Sequence, residues 1–303
     1  MDIYLPIAGQ SVNALFMVVL GFVVGLLSGM FGVGGGFLTT PILIFYGIPP
    51  TVAVASATTQ ITGASVSGAL VHMRRGGVDL KMGGVMIFGG LFGSVIGAIV
   101  FRLLQTTGQI DLVIGSLYVI ILVTIGVIML KDALVALGYL TRPDTTKTGA
   151  RHNRWVASLP LRWRFYSSGL YVSPLAPMAL GFVAGMLTVF LGIGGGFILV
   201  PAMIYLLGMA ARVVIGTSLV MILAVSAATT LVHALTTRSV DIVLAALLLV
   251  GGVIGAQYGA VLATRIKPDL LRLALAVIIL LVGLRMALGL AWHPDEIYSI
   301  EYL

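Results

Sequence analysis

The sequence contains no cysteine, which excludes disulfides, thiolate metal sites and cysteine nucleophiles and leaves the redox compartment unspecified. Charge is nearly as scarce. Asp, Glu, Lys and Arg together make up 9% of the 303 residues, against about 25% in an ordinary soluble domain. So few charges could not cover the water-facing surface of a chain this long. There is no HExxH, no GxSxG and no carboxylate pair that reads as buried in an apolar span, so no enzymatic chemistry is expected. Nothing calls for a cofactor or a metal. MDIYLPIAGQ, at the N-terminus, has an acidic residue and no Lys or Arg ahead of the first apolar run, and so lacks the basic n-region of a signal peptide.

What the chain does have is apolar sequence: 59% hydrophobic residues and a mean hydropathy of +1.15. Apolar segments run at 12–31, 37–46, 51–73, 82–104 and 111–139, and again at 178–191, 197–208, 211–233, 242–264 and 270–291. Uncharged runs of about 20 residues mark helices that cross a bilayer. The expected fold is therefore an all-α polytopic membrane protein. It divides into an N-terminal transmembrane repeat (12–139), a basic linker (140–176) and a C-terminal transmembrane repeat (177–292). The net charge of +7 is spread between spans rather than gathered on one face, which argues against nucleic acid as a partner and for lipid. Trp155, Trp163, Tyr166 and Tyr171 beside the basic linker residues have the composition of a membrane-surface belt.

The second half copies the first. With Gly21 laid on Gly181, GFVVGLLSGMFGVGGGFLTTP and GFVAGMLTVFLGIGGGFILVP match at 11 of 21 positions. One inserted residue later His72 falls on His233, and after one more GGLFGSVIGA (89–98) falls on GGVIGAQYGA (251–260). Basic residues in short loops set orientation. Arg74, Arg75 and Lys81, the linker, and Arg265, Lys267 and Arg272 all lie on one side only if each copy crosses an odd number of times. The expectation is two inverted-topology repeats, with the linker cytoplasmic and both termini outside, where Asp295, Glu296 and Glu301 make the tail acidic.

Segments 37–46 and 197–208 are too short to span, at roughly 15–18 Å of helix. Each follows a glycine-rich break, Gly32 to Gly36 and Gly192 to Gly196. Backbone that leaves the helix inside hydrocarbon must be buried by protein or line an aqueous cavity. A half-helix that starts there presents unpaired amides and the positive end of its dipole, a combination that suits an anion. The candidate substrate residues are Gly34, Gly35, Gly36 and Phe37 with Gly194, Gly195, Gly196 and Phe197. The hydroxyl-rich third segments add Ser56, Thr58, Thr59 and Gln60 with Thr217 and Ser218, although such hydroxyls also bond back to their own helix. His72 and His233 are the matched titratable pair, either coupling protons to transport or capping helix ends. The scattered pairs Gly21/Gly25, Gly93/Gly97 and Gly255/Gly259 read as close helix packing. No Lys followed by Ser or Thr succeeds either glycine cluster, and Phe37 stands where a dinucleotide loop needs a small residue, so nucleotide binding is not expected.

GLLSGMFGVGGGFLTTPILIFYGIPPTVAVASATTQ (25–60) and its echo GMLTVFLGIGGGFILVPAMIYLLGMAARVVIGTS (185–218) resemble the TauE/SafE sulfite exporters, bacterial membrane permeases. The resemblance implies export of sulfite or a related sulfur oxyanion or sulfonate across the bacterial plasma (inner) membrane, driven by the proton gradient. The residues alone leave a second mechanism open, a passive anion channel built on the same breaks. The second copy has Leu199-Val200 where the first has Thr39-Thr40, and Met221 where the first has Gln60, so the two halves of the site are expected to be unequal.

Overall fold

The computed structural model describes residues 2–31, 34–74, 76–138, 160–263 and 268–291. It is mostly helical, in two matching runs of five helices. The first run is α1 (Ala14–Phe31), α2 (Gly36–Phe45), α3 (Pro50–Arg74), α4 (Leu80–Thr106) and α5 (Ile110–Ala136). The second is α6 (Leu175–Leu191), α7 (Gly196–Tyr205), α8 (Ala211–Val232), α9 (Ile242–Ala263) and α10 (Pro268–Ala291), with a π-helical turn at His233–Thr237 closing α8. Arg142 to Arg154 and Trp155, together with Arg75, Arg265, Lys267 and the acidic tail, lie outside the described residues, as do Gly32 and Val33.

Five segments, within α4, α5, α8 with its π turn, α9 and α10, are long and apolar enough to cross a membrane. Helix α3 is just as long, at 25 residues, but is diluted by Ser, Thr and Gln. Large apolar side chains face outward, among them Phe88, Ile99, Ile120 and Leu281, each more than 60% exposed. An apolar exterior of that kind fits hydrocarbon as solvent. The chain is a multi-pass membrane protein.

A short hairpin precedes each run: β1 (Asp2–Leu5) with β2 (Gln10–Asn13), and β3 (Trp163–Phe165) with β4 (Leu170–Val172). Sequence reading missed both. The second hairpin and the start of α6 fall inside the span assigned to the linker, so the repeat unit begins earlier than its apolar segments do. Leu5 and Phe165, one repeat apart, are the buried anchors of the two hairpins.

The two runs interlock. Helix α1 packs along α9, with Gly21, Gly25 and Gly29 facing the backbone of Leu248, Gly252 and Ala256, so these two helices run parallel. Helix α6 packs along α4 in the same way, Gly89, Gly93 and Gly97 facing Met178, Phe182 and Met186. A Cβ at most of these glycines would strike a facing carbonyl, which is why the stripes are glycine. Equivalent helices run antiparallel instead. Along α3 and α8, Thr62 meets Ser226 while Gly68 meets Leu219. Along α5 and α10, Gly115 meets Leu290 and Gly126 meets Leu280.

Candidate functional site

The breaks form where glycine alone suits the backbone. Gly34 and Gly35 have φ of +87° and +63°, and Gly194 and Gly195 of +72° and +73°, in the left-handed region that L side chains avoid. From these turns α2 and α7 start, each ten residues long. Pro41 and Pro201 lie inside them and lack the N–H that would bond the carbonyl four residues back, that of Phe37 or Phe197.

The structure brings the two breaks together. A Cβ at Gly34 would lie 3.8 Å from the Ile193 carbonyl, and one at Gly36 would meet Ile61 and the Gly192 carbonyl. Phe37 and Phe197 stack across the junction, with ring centroids 5.0 Å apart and planes 7° apart. Ile61 and Ile222, equivalents in the two copies, both border Gly34 and Gly194. Gly34, Gly35, Gly36, Phe37, Gly194, Gly195, Gly196 and Phe197 thus form one cluster, buried throughout. The amides of Gly196 and Phe197 have no hydrogen-bond partner among the described residues, while Gly36 N donates to the Gly34 carbonyl at 2.7 Å.

The two halves differ in polarity. In the first copy Thr39 Oγ1 donates to Gln60 Oε1 at 3.0 Å, and Gln60 Nε2 lies against Gly252. In the second, Leu199 and Met221 take these places and join an apolar cluster. The end of α6 beside the second break is tied down from two sides: the Leu191 carbonyl accepts from Thr40 Oγ1 at 3.2 Å and from Tyr118 Oη on α5.

The other sequence candidates are engaged within the chain, some locally and some across the repeats. Thr58 and Thr59 donate to the carbonyls of Val54 and Ala55, four residues back, and Ser218 donates to Ile215. Ser56 and Thr217 accept from the backbone amides of Asp241 and Asp79, at 3.3 and 3.0 Å. His233 is buried with Nε2 against the Val189 carbonyl at 3.2 Å and Nδ1 near Thr237 Oγ1 at 3.3 Å. A carbonyl only accepts, so the proton sits on Nε2. His72 is half-buried near the end of α3. Where α3 crosses α8, the hydroxyls of Ser65, Thr229 and Thr230 are buried with no partner among the described residues.

Sequence reading also missed two buried carboxylates. Asp79 caps α4 by accepting from Met82 N at 2.9 Å, and holds the second hairpin through Ser168 N at 3.0 Å and the Ser168 hydroxyl. Asp241 caps α9 through Val243 N and Leu244 N, both at 3.1 Å, and holds the first hairpin through Ile7 N at 3.1 Å. The signal was the shared Val-Asp at 78–79 and 240–241, one repeat apart at the start of an apolar span.

Two mutually facing glycine-broken half-helices in a multi-pass protein are an arrangement found among secondary transporters. The Sulfite exporter TauE/SafE family model matches residues 17–286, and the chain belongs to that family. It is 29% identical over 273 residues to the probable membrane transporter protein YjnA of Bacillus subtilis, covering 89% of this chain and 98% of the relative. It is 25% identical to YunE of the same organism, covering 89% and 96%. A shorter stretch of 83 residues is 29% identical to Sulfite exporter TauE/SafE family protein 5 of Arabidopsis thaliana, covering 27% of this chain and 18% of the relative. No solved structure matches the chain.

Proposed function

We propose that this protein is a secondary transporter that exports a small sulfur oxyanion, sulfite or a related sulfonate or thiosulfate, across the bacterial inner membrane. The observation that carries this reading is the meeting of two half-helix starts at one buried place, with the Gly196 and Phe197 amides unpaired. Amides and dipole ends attract an anion without a full counter-charge, so the ion can also leave. The unpartnered hydroxyls of Ser65, Thr229 and Thr230 supply further neutral donors along the α3–α8 seam. Antiparallel equivalent helices support an inverted repeat, in which rocking of one copy against the other exposes the site alternately to each side. The sulfur chemistry rests on the family name, and proton coupling, through His72 or His233, on the same resemblance.

Sulfite flux in proteoliposomes, with and without an imposed pH gradient, tests both parts. Saturable flux that rises with the gradient supports the transporter. Fast, gradient-independent flux would mean that the same breaks line a passive channel. Loss of the gradient dependence in His72→Gln, with flux retained, would assign the coupling group.

A further inference from the structure

Two equivalent stripes leave the breaks in opposite directions along the α3–α8 seam. On α3, Ile61 is followed by Ser65 and Gly68; on α8, its equivalent Ile222 is followed by Ser226 and Thr229. Steps of four and seven residues keep each set on one helix face, the face whose isoleucine borders Gly34 and Gly194. Because the two helices run antiparallel, the α3 stripe heads for Asp79 and the β3–β4 hairpin, and the α8 stripe for Asp241 and the β1–β2 hairpin.

Near the isoleucines the copies join, Thr62 Oγ1 donating to Ser226 Oγ at 3.0 Å. Two turns out they diverge. On the β3–β4 side Leu219 fills the space over Gly68, its Cδ1 standing 3.1 Å from the position a Cβ would take. One repeat away the same two positions are Thr58 and Thr229, and Ala69 becomes Thr230. An apolar plug on one side is thus matched by three hydroxyls on the other. Thr58 donates back to the Val54 carbonyl. Thr229 and Thr230 donate to nothing among the described residues, although Thr229 is fully buried and the Thr230 oxygen is equally enclosed. Burying an unpaired hydroxyl is unfavourable, and valine would keep the shape without that cost. The architecture does not demand it either, since Gly68 and Ala69 serve at the equivalent positions.

We infer that Thr229 and Thr230 form a second oxyanion subsite, on the β1–β2 side of the breaks, through which the transported anion passes to or from that face. The seven residues from Ile222 to Thr229 advance the helix about 10 Å. That exceeds the reach of one small oxyanion, so this is a station separate from the amides of the breaks. Its unspent O–H donors hold anion oxygens without a fixed charge and so also release them. The inference rests on the transport reading and adds a side to it.

Exchange of radiolabelled sulfite, and in parallel thiosulfate, is measured in right-side-out and inside-out membrane vesicles. Thr229→Val/Thr230→Val keeps the side-chain shape and removes both hydroxyls. It is expected to raise the half-saturating oxyanion concentration about tenfold from the side on which Ala8→Cys is labelled by an impermeant maleimide, and to leave the value from the other side unchanged. Thr229→Ser/Thr230→Ser should restore the wild-type value, and thermal unfolding of the valine variant should not fall. Gly195→Leu should weaken exchange from both sides. An equal change from both sides in the valine variant would merge the hydroxyls into the central site, no change would leave them without a ligand, and an altered sodium dependence would assign them to a cation. Each of these overturns the subsite while the transport reading stands. Absence of oxyanion exchange in the wild-type protein would instead sink the transport reading, and the subsite with it.

Discussion

At the residue scale, the left-handed glycines of the two breaks tie fold and proposed function together. Gly195 has φ +73°, and a Cβ there would come within 2.8 Å of the Ala184 Cβ. Gly195→Ala is expected to destabilise the protein by about 1–2 kcal/mol from backbone strain alone. Gly35→Leu meets Val24 and Ser28 and should behave similarly. If α2 and α7 hold the anion, both changes should also weaken sulfite binding about tenfold or more, since they move the amides that would face it. Equilibrium binding over a panel of sulfur oxyanions checks this, and normal binding in both variants would sink the central site. The glycine clusters were legible in the sequence because two copies kept them beside half-length segments. The hydroxyls were not, because a threonine that lines a cavity and one that bonds back four residues have the same spacing. Thr58 and Thr59 do bond back four residues, to Val54 and Ala55. His233 was legible as half of a pair but not as a group whose two ring nitrogens are already engaged.

At the scale of elements, each copy contributes a hairpin that is fastened by the other copy's aspartate. Asp241 of the second copy caps its own helix and holds the first hairpin at Ile7, while Asp79 of the first copy does the same for the second hairpin at Ser168. Removing the carboxylate leaves cap amides and a hairpin amide without an acceptor. Asp79→Ala and Asp241→Ala are each expected to cost about 2 kcal/mol, read as lowered thermal unfolding in detergent. The hairpins escaped sequence reading because strands of three or four residues hold too few alternations to register beside long apolar runs. The aspartates escaped because a lone acid in a loop reads as solvated. Helix seams were more legible: glycines four apart predicted close packing, and Gly25 does lie against the Gly252 backbone. A matched pair of variants isolates that effect. Gly25→Ala drives a methyl into a carbonyl that cannot move aside and should cost about 1–3 kcal/mol. Gly84→Ala, on an open face, should be close to neutral.

At the scale of the whole molecule, loop charge and contact register each support the inverted repeat we propose. Loop charges called for two copies of opposite sense; the registers of α3 against α8 and of α5 against α10 are antiparallel, while α1 against α9 and α6 against α4 are parallel. Helix α2 turns back from the break towards the base of α1, where Tyr46 stacks on Phe16 with ring centroids 5.1 Å apart. The first copy therefore ends on the side opposite to its start, and the β1–β2 turn and the α4–α5 turn share one face while the β3–β4 turn lies on the other. Because the chain has no cysteine, single cysteines can report this without background. Ala8→Cys and Thr107→Cys should react with a membrane-impermeant maleimide in intact cells. Tyr166→Cys, on the face we propose to be cytoplasmic from its flanking cations, should react only after permeabilisation. Labelling of all three from the same side would reject the inverted repeat, and with it the alternating exposure of a site between the breaks.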